Sequence, residues 1–153
     1  MNSVNSEQQN KNLSDCVRNS RSVGYSEYHL QWVTKYRYKT LGKESHFIDC
    51  ESAIRSVAER HGIQIKELGV MPDHVHVVAV LPPEMSVSTA IGLLKGGSSY
   101  EMFRKHPNFR MRYWKGHFWG RGYFYRSVSN ITEDVVRRYV REDNTQRQRL
   151  LFT

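Results

Sequence analysis

The sequence predicts an α+β domain of the ferredoxin-like kind, an antiparallel sheet built in the order β-α-β-β-α-β with an additional C-terminal helix. Two observations predict this fold. Four short segments, alternating or continuously apolar, are typical of strands, and two segments with apolar residues at helical spacing separate them in this order. Because ferredoxin-like folds host many activities, function has to be argued from the residues that the elements carry.

The first half of the domain is predicted to contain one helix and three strands. Alternating apolar and polar residues predict the first strand over residues 28 to 38. Apolar residues at helical spacing between Phe47 and Ala58 predict the first helix, and Gly62 stands where that helix should stop. Residues 63 to 70 and 74 to 81 are the next two strands. Pro82-Pro83 ends the second of them, because proline cannot continue a hydrogen-bonded ladder.

The second half is predicted to contain two helices separated by a strand. Residues 86 to 105 form the first of these helices, with Ser86 as its N-cap. Gly96-Gly97 in its middle predicts either a break or a close approach by another part of the chain. Residues 122 to 129 are the strand, and residues 130 to 151 the final helix, with a capping-box-like start at Asn130 and Glu133.

The composition favours a polyanionic partner. The chain has 153 residues, 39% of them hydrophobic, and a net charge of +8, which points to nucleic acid first and an anionic membrane surface second. No apolar run reaches the roughly 18 residues of a membrane span, so we expect no membrane partner. Cys16 and Cys50 are too few for a disulfide framework, and we expect a cytoplasmic, nucleoid-associated protein.

The chain is predicted to divide into a polar leader and one domain. Residues 1 to 24 are rich in Asn and Ser and show no periodicity, so we expect them to be disordered. Residues 25 to 153 contain all the predicted strands and helices and are expected to form a single domain.

Two histidines one residue apart open an otherwise apolar strand. Because successive side chains of a strand point to opposite faces, His74 and His76 share one face, with Cβ atoms about 6–7 Å apart. On spacing alone, two interpretations stay open: the imidazoles only make hydrogen bonds, or they hold one divalent cation. In the second, Asp73 can accept a hydrogen bond that fixes a ring tautomer. The alternate residues, from Val75 to Leu81, should be buried on the other face.

Five segments taken together resemble a known family. The segments "YHLQWVTKYRYKTL", "MPDHVHVVAVLPP", "LLKGGSS", "YFYRSVS" and "VVRRYVRED" occur in the order seen in the single-tyrosine HUH transposases of the IS200-like insertion sequences, the TnpA family, whose relatives include REP-associated tyrosine transposases. The resemblance covers residues 25 to 146. It implies a metal-dependent enzyme that cleaves and rejoins single-stranded DNA through a 5′-phosphotyrosine intermediate, recognising hairpins at the ends of an insertion sequence that it excises and inserts.

The resemblance also implies a role for individual residues. Tyr139 is similar to the family's nucleophile, although on helical spacing alone it reads as an aromatic core residue. His74 and His76 correspond to the metal ligands. The family's third ligand, usually Gln four residues after the tyrosine, falls on Asp143, and Glu142 is a second candidate. A carboxylate suits Mg²⁺ or Mn²⁺ better than an amide does.

A further implication concerns the oligomeric state. Moving a DNA segment needs two cleaved ends, so the resemblance implies a homodimer in which the tyrosine helix of one subunit completes the histidine site of the other.

The alternatives to a transposase of an insertion sequence are a domesticated relative acting on chromosomal repeats, with the same chemistry, and a non-catalytic nucleic-acid-binding module on a ferredoxin-like sheet. Exposed aromatic residues on central strands are typical of such modules, whereas a His-x-His pair is not.

Basic and aromatic residues outside the histidine site are predicted to hold DNA. Residues 109 to 125 carry eight of the eighteen aromatic residues. Bases stacked on such rings contribute about 1–3 kcal/mol each, and interleaved cations neutralise phosphates. The expected base contacts are Trp114 and Trp119, the expected cations are Arg110, Arg112, Lys115 and Arg121, and Phe118, Tyr123 and Tyr125 are expected in the core.

Two more basic segments are candidates for phosphate contacts. The end of the first predicted strand should place Lys35, Arg37 and Lys39 on one face, either as a solvated charged edge or as a phosphate-contacting one. Lys95 precedes Gly96-Gly97, whose backbone amides could form a phosphate seat with it. The same glycines could equally mark a helix break.

Overall fold

The computed structural model describes the backbone of residues 17–18, 23–24, 26–128 and 130–152, and the side chains of 26–128 and 137–148. The strands are β1 (Val17–Arg18), β2 (Val23–Gly24), β3 (Glu27–Val33), β4 (Gln64–Val70), β5 (His74–Val80) and β6 (Phe124–Ser127). The helices are α1 (Glu44–Arg60), α2 (Val87–Lys105), α3 (Phe109–Arg112) and α4 (Asn130–Phe152), and two 3-10 turns, Lys35–Arg37 and Thr40–Gly42, lie between β3 and α1.

The main sheet has four antiparallel strands in the order β4-β5-β3-β6. The first and third of its strands in chain order, β3 and β5, occupy the centre, as in the predicted ferredoxin-like arrangement, which is confirmed. Alternate side chains of β3 and β5, such as Leu30, Trp32, Val75 and Val77, form one apolar core with α1 and α2. Helix α4 packs against the opposite face, over β4 and β5.

Helix α1 ends as the sequence predicts. Gly62 has a φ of 69°, a left-handed conformation that favours glycine. The amide of Ile63 donates to the carbonyl of Ala58 at 2.9 Å, which is the six-to-one hydrogen bond of a Schellman motif. The turn thereby returns the chain from α1 directly into β4.

Helix α2 begins at the predicted cap, where the amide of Thr89 donates to the Ser86 hydroxyl at 3.1 Å. The helix runs through Gly96-Gly97 without a break. Of the two expectations for these glycines, close approach is the one observed, because a Cβ atom at Gly97 would lie 2.4 Å from Cγ2 of Val57 on α1. Gly97 therefore sets how closely the two helices pack.

The first strand is shorter than the prediction of residues 28 to 38. Its ladder with β5 ends where Val33 pairs with His74, and the chain then turns, with φ values of 60° at Tyr36 and 52° at Arg37. The expectation that Lys35, Arg37 and Lys39 share one face of a strand is therefore wrong. The alternation of aromatic and basic residues continues past the last residue that has a strand partner.

Two smaller points concern the ends of the chain. Within the predicted leader, β1 and β2 pair as short antiparallel strands, which the sequence analysis did not predict. Helix α4 begins at Asn130 as predicted, but the proposed capping pair of Asn130 and Glu133 lies outside the described side chains.

No described helix is both long enough and apolar enough to cross a membrane.

Candidate active site

The face of the sheet that meets α4 carries the histidines. His74 and His76 alternate with Val75 and Val77 on β5, so the valines enter the core beneath α1 and α2 while the imidazoles face the other way. The neighbouring central strand, β3, contributes His29 to the same face. The predicted burial of the alternate residues of β5 is confirmed.

Three side chains converge on one point of this face. The Nε2 atoms of His74 and His76 lie 3.1 Å apart, and Nε2 of His76 lies 3.2 Å from Oδ2 of Asp143 on α4. One potential ligand atom from each of the three falls within 4.8 Å of the others. Asp143 is thus the acid that α4 brings to the histidines, and the adjacent Glu142 is exposed.

Each histidine has a hydrogen-bond partner behind it. Nδ1 of His74 lies 2.7 Å from Oδ1 of Asp73, and Arg37 donates to the other carboxylate oxygen at 3.2 Å. This is the contact expected of Asp73. Nδ1 of His76 lies 3.1 Å from Nε2 of His29, a contact that the sequence analysis missed. Its only signal in the sequence was a histidine that alternates with Leu30 and Trp32 on the first strand, and so lies on the face opposite the core.

The environment keeps the buried imidazole in its neutral form. Burial, followed by the neighbouring His74 and His29 rings, lowers the pKa of His76 to about 4. Burial and the Arg126 charge lower the pKa of His29. Burial raises the pKa of Asp143, with Glu142 acting in the same direction and His74 opposing it. At neutral pH His76 therefore has a lone pair on one of its nitrogens.

The donor set fits a divalent cation. Two neutral imidazoles and one carboxylate, gathered on one side of a sheet with a hydrogen-bond partner behind each imidazole, are ligands typical of such ions. The carboxylate is a ligand that hard ions such as Mg²⁺ and Mn²⁺ accept. His74, His76 and Asp143 would hold the ion.

Tyr139 lies one helical turn before Asp143, and its ring centroid is 5.9 Å from that of His76. Its side chain is 56% exposed, so it is not the aromatic core residue that helical spacing alone suggested. In this structure α4 approaches the histidines of its own chain. A single chain therefore brings the tyrosine, the acid and both histidines together.

Three polar side chains in the described part of α4 attach the helix to β4. Asn144 donates to the carbonyl of Leu68 at 3.0 Å, Arg141 donates to Glu67 at 2.8 Å, and Arg147 donates to the carbonyl of Val70. Between these contacts Val140 lies directly over Gly69, where a Cβ atom would be 3.1 Å from Cγ1 of Val140. The missing side chain at Gly69 lets the helix lie close to the strand.

Comparison with known proteins agrees with this geometry. Residues 22 to 143 match the model of the family described as "Transposase IS200 like". The chain belongs to the IS200-like transposase family. It is 32% identical over 114 residues to the ISDra2 transposase TnpA of Deinococcus radiodurans, covering 74% of this chain and 81% of that protein. It is 30% identical over 126 residues to the IS200 transposase of Salmonella typhimurium, covering 80% and 82%.

Solved structures show the same fold. A Deinococcus radiodurans protein assigned as a transposase superposes with a TM-score of 0.67 at 29% identity, covering 82% of this chain and 96% of that one. A REP-associated tyrosine transposase, solved bound to a REP hairpin, superposes with a TM-score of 0.53 at 17% identity, covering 80% and 67%. Family membership makes this chain a DNA-processing enzyme and confirms the resemblance carried by the five sequence segments.

Several of the residues expected to bind DNA surround one cavity in this transposase. It has a volume of about 510 Å³ and is lined by basic and aromatic side chains with no carboxylate among them, including Lys35, Tyr36, Lys95, Lys115, His117 and Arg121. Trp114 is 73% exposed, and the Lys115 ammonium lies 4.9 Å from its ring centroid. These positions agree with a nucleic-acid surface, and the contacts themselves stay a prediction.

The remaining predicted cations lie apart from this cavity. Arg37 is paired with Asp73, and Lys39 and Arg112 line a second basic hollow. The guanidinium carbon of Arg110 lies 5.5 Å from the ring centroid of Phe103, and that of Arg112 lies 4.5 Å from the ring centroid of Tyr38. Their guanidinium planes are thus already in contact with rings of the protein.

Three expectations about this surface are wrong. Trp119 is only 5% exposed, packs against Trp32 and Phe118, and donates to Ser98, so it cannot stack on a base. Lys95 donates to the carbonyl of Gly120 at 2.6 Å, and the neighbouring amides lie inside a continuous helix, so they form no phosphate seat. Tyr123 and Tyr125 are exposed beside and on the edge strand β6, whereas Phe118 is buried as expected.

Proposed function

We propose that this transposase cleaves and rejoins single-stranded DNA through a 5′-phosphotyrosine intermediate on Tyr139. The observation that carries the proposal is the position of Tyr139, exposed on α4 one turn before Asp143 and beside the ring of His76. An exposed phenol next to a set of metal-binding side chains is what attack on a phosphodiester requires. The tyrosine and the three ligand side chains come from two structural elements, β5 and α4.

The chemistry proceeds in two displacements. The Tyr139 oxygen bonds to phosphorus and its hydroxyl gives up a proton. The bond from phosphorus to the 3′ oxygen breaks, and that oxygen takes up a proton, which leaves a free 3′-hydroxyl. A 3′-hydroxyl on another strand then attacks the phosphotyrosine and releases the phenol. Because the phosphodiester energy is kept in the covalent link, rejoining needs no ATP.

The residues around the tyrosine would support the first displacement. A phenol with a pKa near 10 is a weak nucleophile at neutral pH. An Mg²⁺ or Mn²⁺ ion held by His74, His76 and Asp143 would polarise the scissile phosphate. Asp73 orients His74 by accepting from its Nδ1, and Arg37 holds Asp73 in place.

We also propose that the DNA extends from this site over basic surface. The turn at Lys35–Arg37 joins the two regions, since Arg37 contacts Asp73 behind the histidine site while Lys35 and Tyr36 line the basic cavity. A chain of phosphates could follow this path. The likeness in fold to a REP-associated transposase bound to a REP hairpin supports hairpin ends as the substrate.

Excision and insertion need two cleaved ends, and we propose a homodimer for that reason. In this structure the site is assembled within one chain. A homodimer that exchanges α4 between subunits would present the same residues with Tyr139 and Asp143 coming from the partner. Cross-complementation between a Tyr139→Phe chain and a His74→Ala chain would detect it, because only a shared site restores activity in the mixture.

A covalent-adduct assay tests the chemistry. The protein is incubated with Mn²⁺ and end-labelled single-stranded DNA spanning an end of the mobile DNA, and the products are separated on a denaturing gel. We expect a protein-linked band that is absent with Tyr139→Phe, with His74→Ala and in EDTA. Tyr100→Phe is the matched control, since Tyr100 is also exposed on a helix but lies on α2, away from the histidines.

Two results would contradict the proposal. An adduct that persists with Tyr139→Phe would place the nucleophile elsewhere. Binding of the correct flanking DNA without any adduct in the unaltered protein would mean that this chain is a binding module.

A further inference from the structure

His29 is a buried histidine of β3 that the proposed chemistry leaves unused. Its Nε2 atom lies 3.1 Å from Nδ1 of His76, and the two ring planes are nearly parallel, at 17°, with centroids 5.3 Å apart. Phe124 of β6 packs edge-on against it with ring centroids 6.0 Å apart. His29 is 9% exposed and His76 is 4% exposed, so water competes poorly for the hydrogen bond between them.

Given the proposed metal site, we propose that His29 is a positioning residue that sets the ring orientation and the proton position of His76. Asp73 fixes the ring orientation of His74 in the same way. Because a carboxylate can only accept a hydrogen bond, His74 must carry its proton on Nδ1. An imidazole can donate or accept, and His29 therefore permits both tautomers of His76.

Without a bound cation, the surroundings of His76 favour a proton on Nε2. That nitrogen faces two acceptors, the Nε2 lone pair of His74 at 3.1 Å and the Asp143 carboxylate at 3.2 Å. Nδ1 of His76 is then unprotonated and accepts from Nε2–H of His29. The hydrogen bonds from His29 through His76 to His74 all run in one direction.

Using Nε2 of His76 as a ligand requires the reverse arrangement. The proton must then sit on Nδ1 of His76, which donates to Nε2 of His29, and His29 carries its own proton on Nδ1. Each ring shifts one proton from Nε2 to Nδ1, and neither ring gains or loses charge. Whether Nε2 of His76 is free to bind a cation thus depends on the tautomer of His29, which is not itself a ligand.

Histidine tautomers can be measured in the unaltered protein. The chain is labelled with ¹⁵N-histidine, and long-range ¹H–¹⁵N correlation spectra are recorded at neutral pH with and without saturating Mg²⁺. We expect His76 and His29 as Nε2–H tautomers in the metal-free protein and both as Nδ1–H tautomers with Mg²⁺. His29 keeping its tautomer on addition of Mg²⁺, or His76 already in the Nδ1–H form without it, would overturn the proposal.

Two substitutions separate hydrogen bonding from packing. His29→Phe keeps a ring but removes both nitrogens, whereas His29→Gln keeps a group that can donate or accept. Mn²⁺ affinity is measured by electron paramagnetic resonance, and folding by thermal unfolding. We expect His29→Phe to weaken Mn²⁺ binding about 10–100-fold, and His29→Gln to recover most of that loss.

His106→Phe is the matched control. Its histidine also has a hydrogen-bonded ring nitrogen, 2.8 Å from Asp49, but lies away from the metal ligands, so we expect unchanged Mn²⁺ affinity. Equal losses for His29→Phe and His29→Gln, or none for either, would overturn the positioning role. If the unaltered protein binds no Mn²⁺, the metal site itself falls, which is a different result from loss of the His29 role alone.

Discussion

The two faces of the central sheet are built from opposite kinds of side chain. Toward α1 and α2, residues such as Leu30, Val75 and Val77 are fully buried in one continuous apolar core. Toward α4, the same strands present imidazoles, and Val78 of β5 packs there against Val140 of α4. One strand, β5, supplies both faces by simple alternation.

The apolar face mainly stabilises the fold, whereas the imidazole face carries the candidate site. Apolar burial is the main stabilising contribution to folding. The core between the sheet and helices α1 and α2 should therefore determine the free energy of unfolding. The opposite face holds α4 through directional hydrogen bonds from Asn144, Arg141 and Arg147. A helix held in this way can open without unfolding the core, which would suit the proposed role of Tyr139, because a nucleophile must release its product.

The largest effect is expected from substituting adjacent residues of β5 on opposite faces. We expect His76→Ala to weaken Mn²⁺ binding at least about 100-fold, with little change in melting temperature. Val77→Ala should leave Mn²⁺ binding unchanged but cost about 2 kcal/mol of stability, lowering the melting temperature by several degrees. Calorimetry and Mn²⁺ titration of both variants check this. A strong loss of metal affinity in Val77→Ala would break the separation of the two faces.

The packing of α1 on α2 offers a test with a built-in control. Gly97→Ala should cost about 1–3 kcal/mol, because its Cβ atom would collide with Val57. At Gly96 nothing lies within 4 Å of the corresponding position, and Gly96→Ala should stabilise the helix by about 0.5–1 kcal/mol. Urea unfolding measures both. Destabilisation of equal size at the two positions would mean that alanine destabilises α2 at either position, and that the contact with Val57 is not the cause.

A smaller effect is expected at the attachment of α4. Asn144→Ala removes the hydrogen bond to Leu68 and should cost about 1 kcal/mol. Amide hydrogen exchange in residues 137 to 148 should then become about fivefold faster, while exchange in α1 stays the same. Faster exchange in both helices would show that α4 does not open by itself.

The smallest effect concerns Cys50 in the apolar core. It is fully buried, and burial raises the pKa of its thiol far above the usual range. In a Cys16→Ser background, the native protein should not react with a disulfide reagent, and the thiol should react only as fast as the core unfolds. Rapid modification of the folded protein would mean that solvent reaches the core between the sheet and helices α1 and α2.

The sequence predicted the elements that follow periodicity and missed those decided by contacts. Alternation located β5 and its two faces, and helical spacing located α1 and α2. The end of β3 could not be predicted, because residues beyond Val33 keep alternating although their strand partner has ended. Trp119 lies in a basic aromatic segment like Trp114, and only the packing against Trp32 shows that it belongs to the core.

The candidate site shows the same division. The spacing of His74 and His76, and the resemblance that selected Tyr139 and Asp143, indicated side chains that the structure brings together. Asp73 was predictable because it adjoins a histidine in the chain. His29 was not, because its contact with His76 joins residues 47 positions apart through strand pairing.

Gly69 has a consequence for judging which copies of a mobile DNA are intact. A search for the two histidines, the tyrosine and the acid would accept a copy with alanine at position 69. In that copy the added methyl group would lie 3.1 Å from Cγ1 of Val140, so Val140 on α4 would have to shift by a few tenths of an ångström, with none of those four residues altered. The close approach of α4 to the histidine face thus depends on a residue that carries no side chain, as well as on the four side chains of the candidate site.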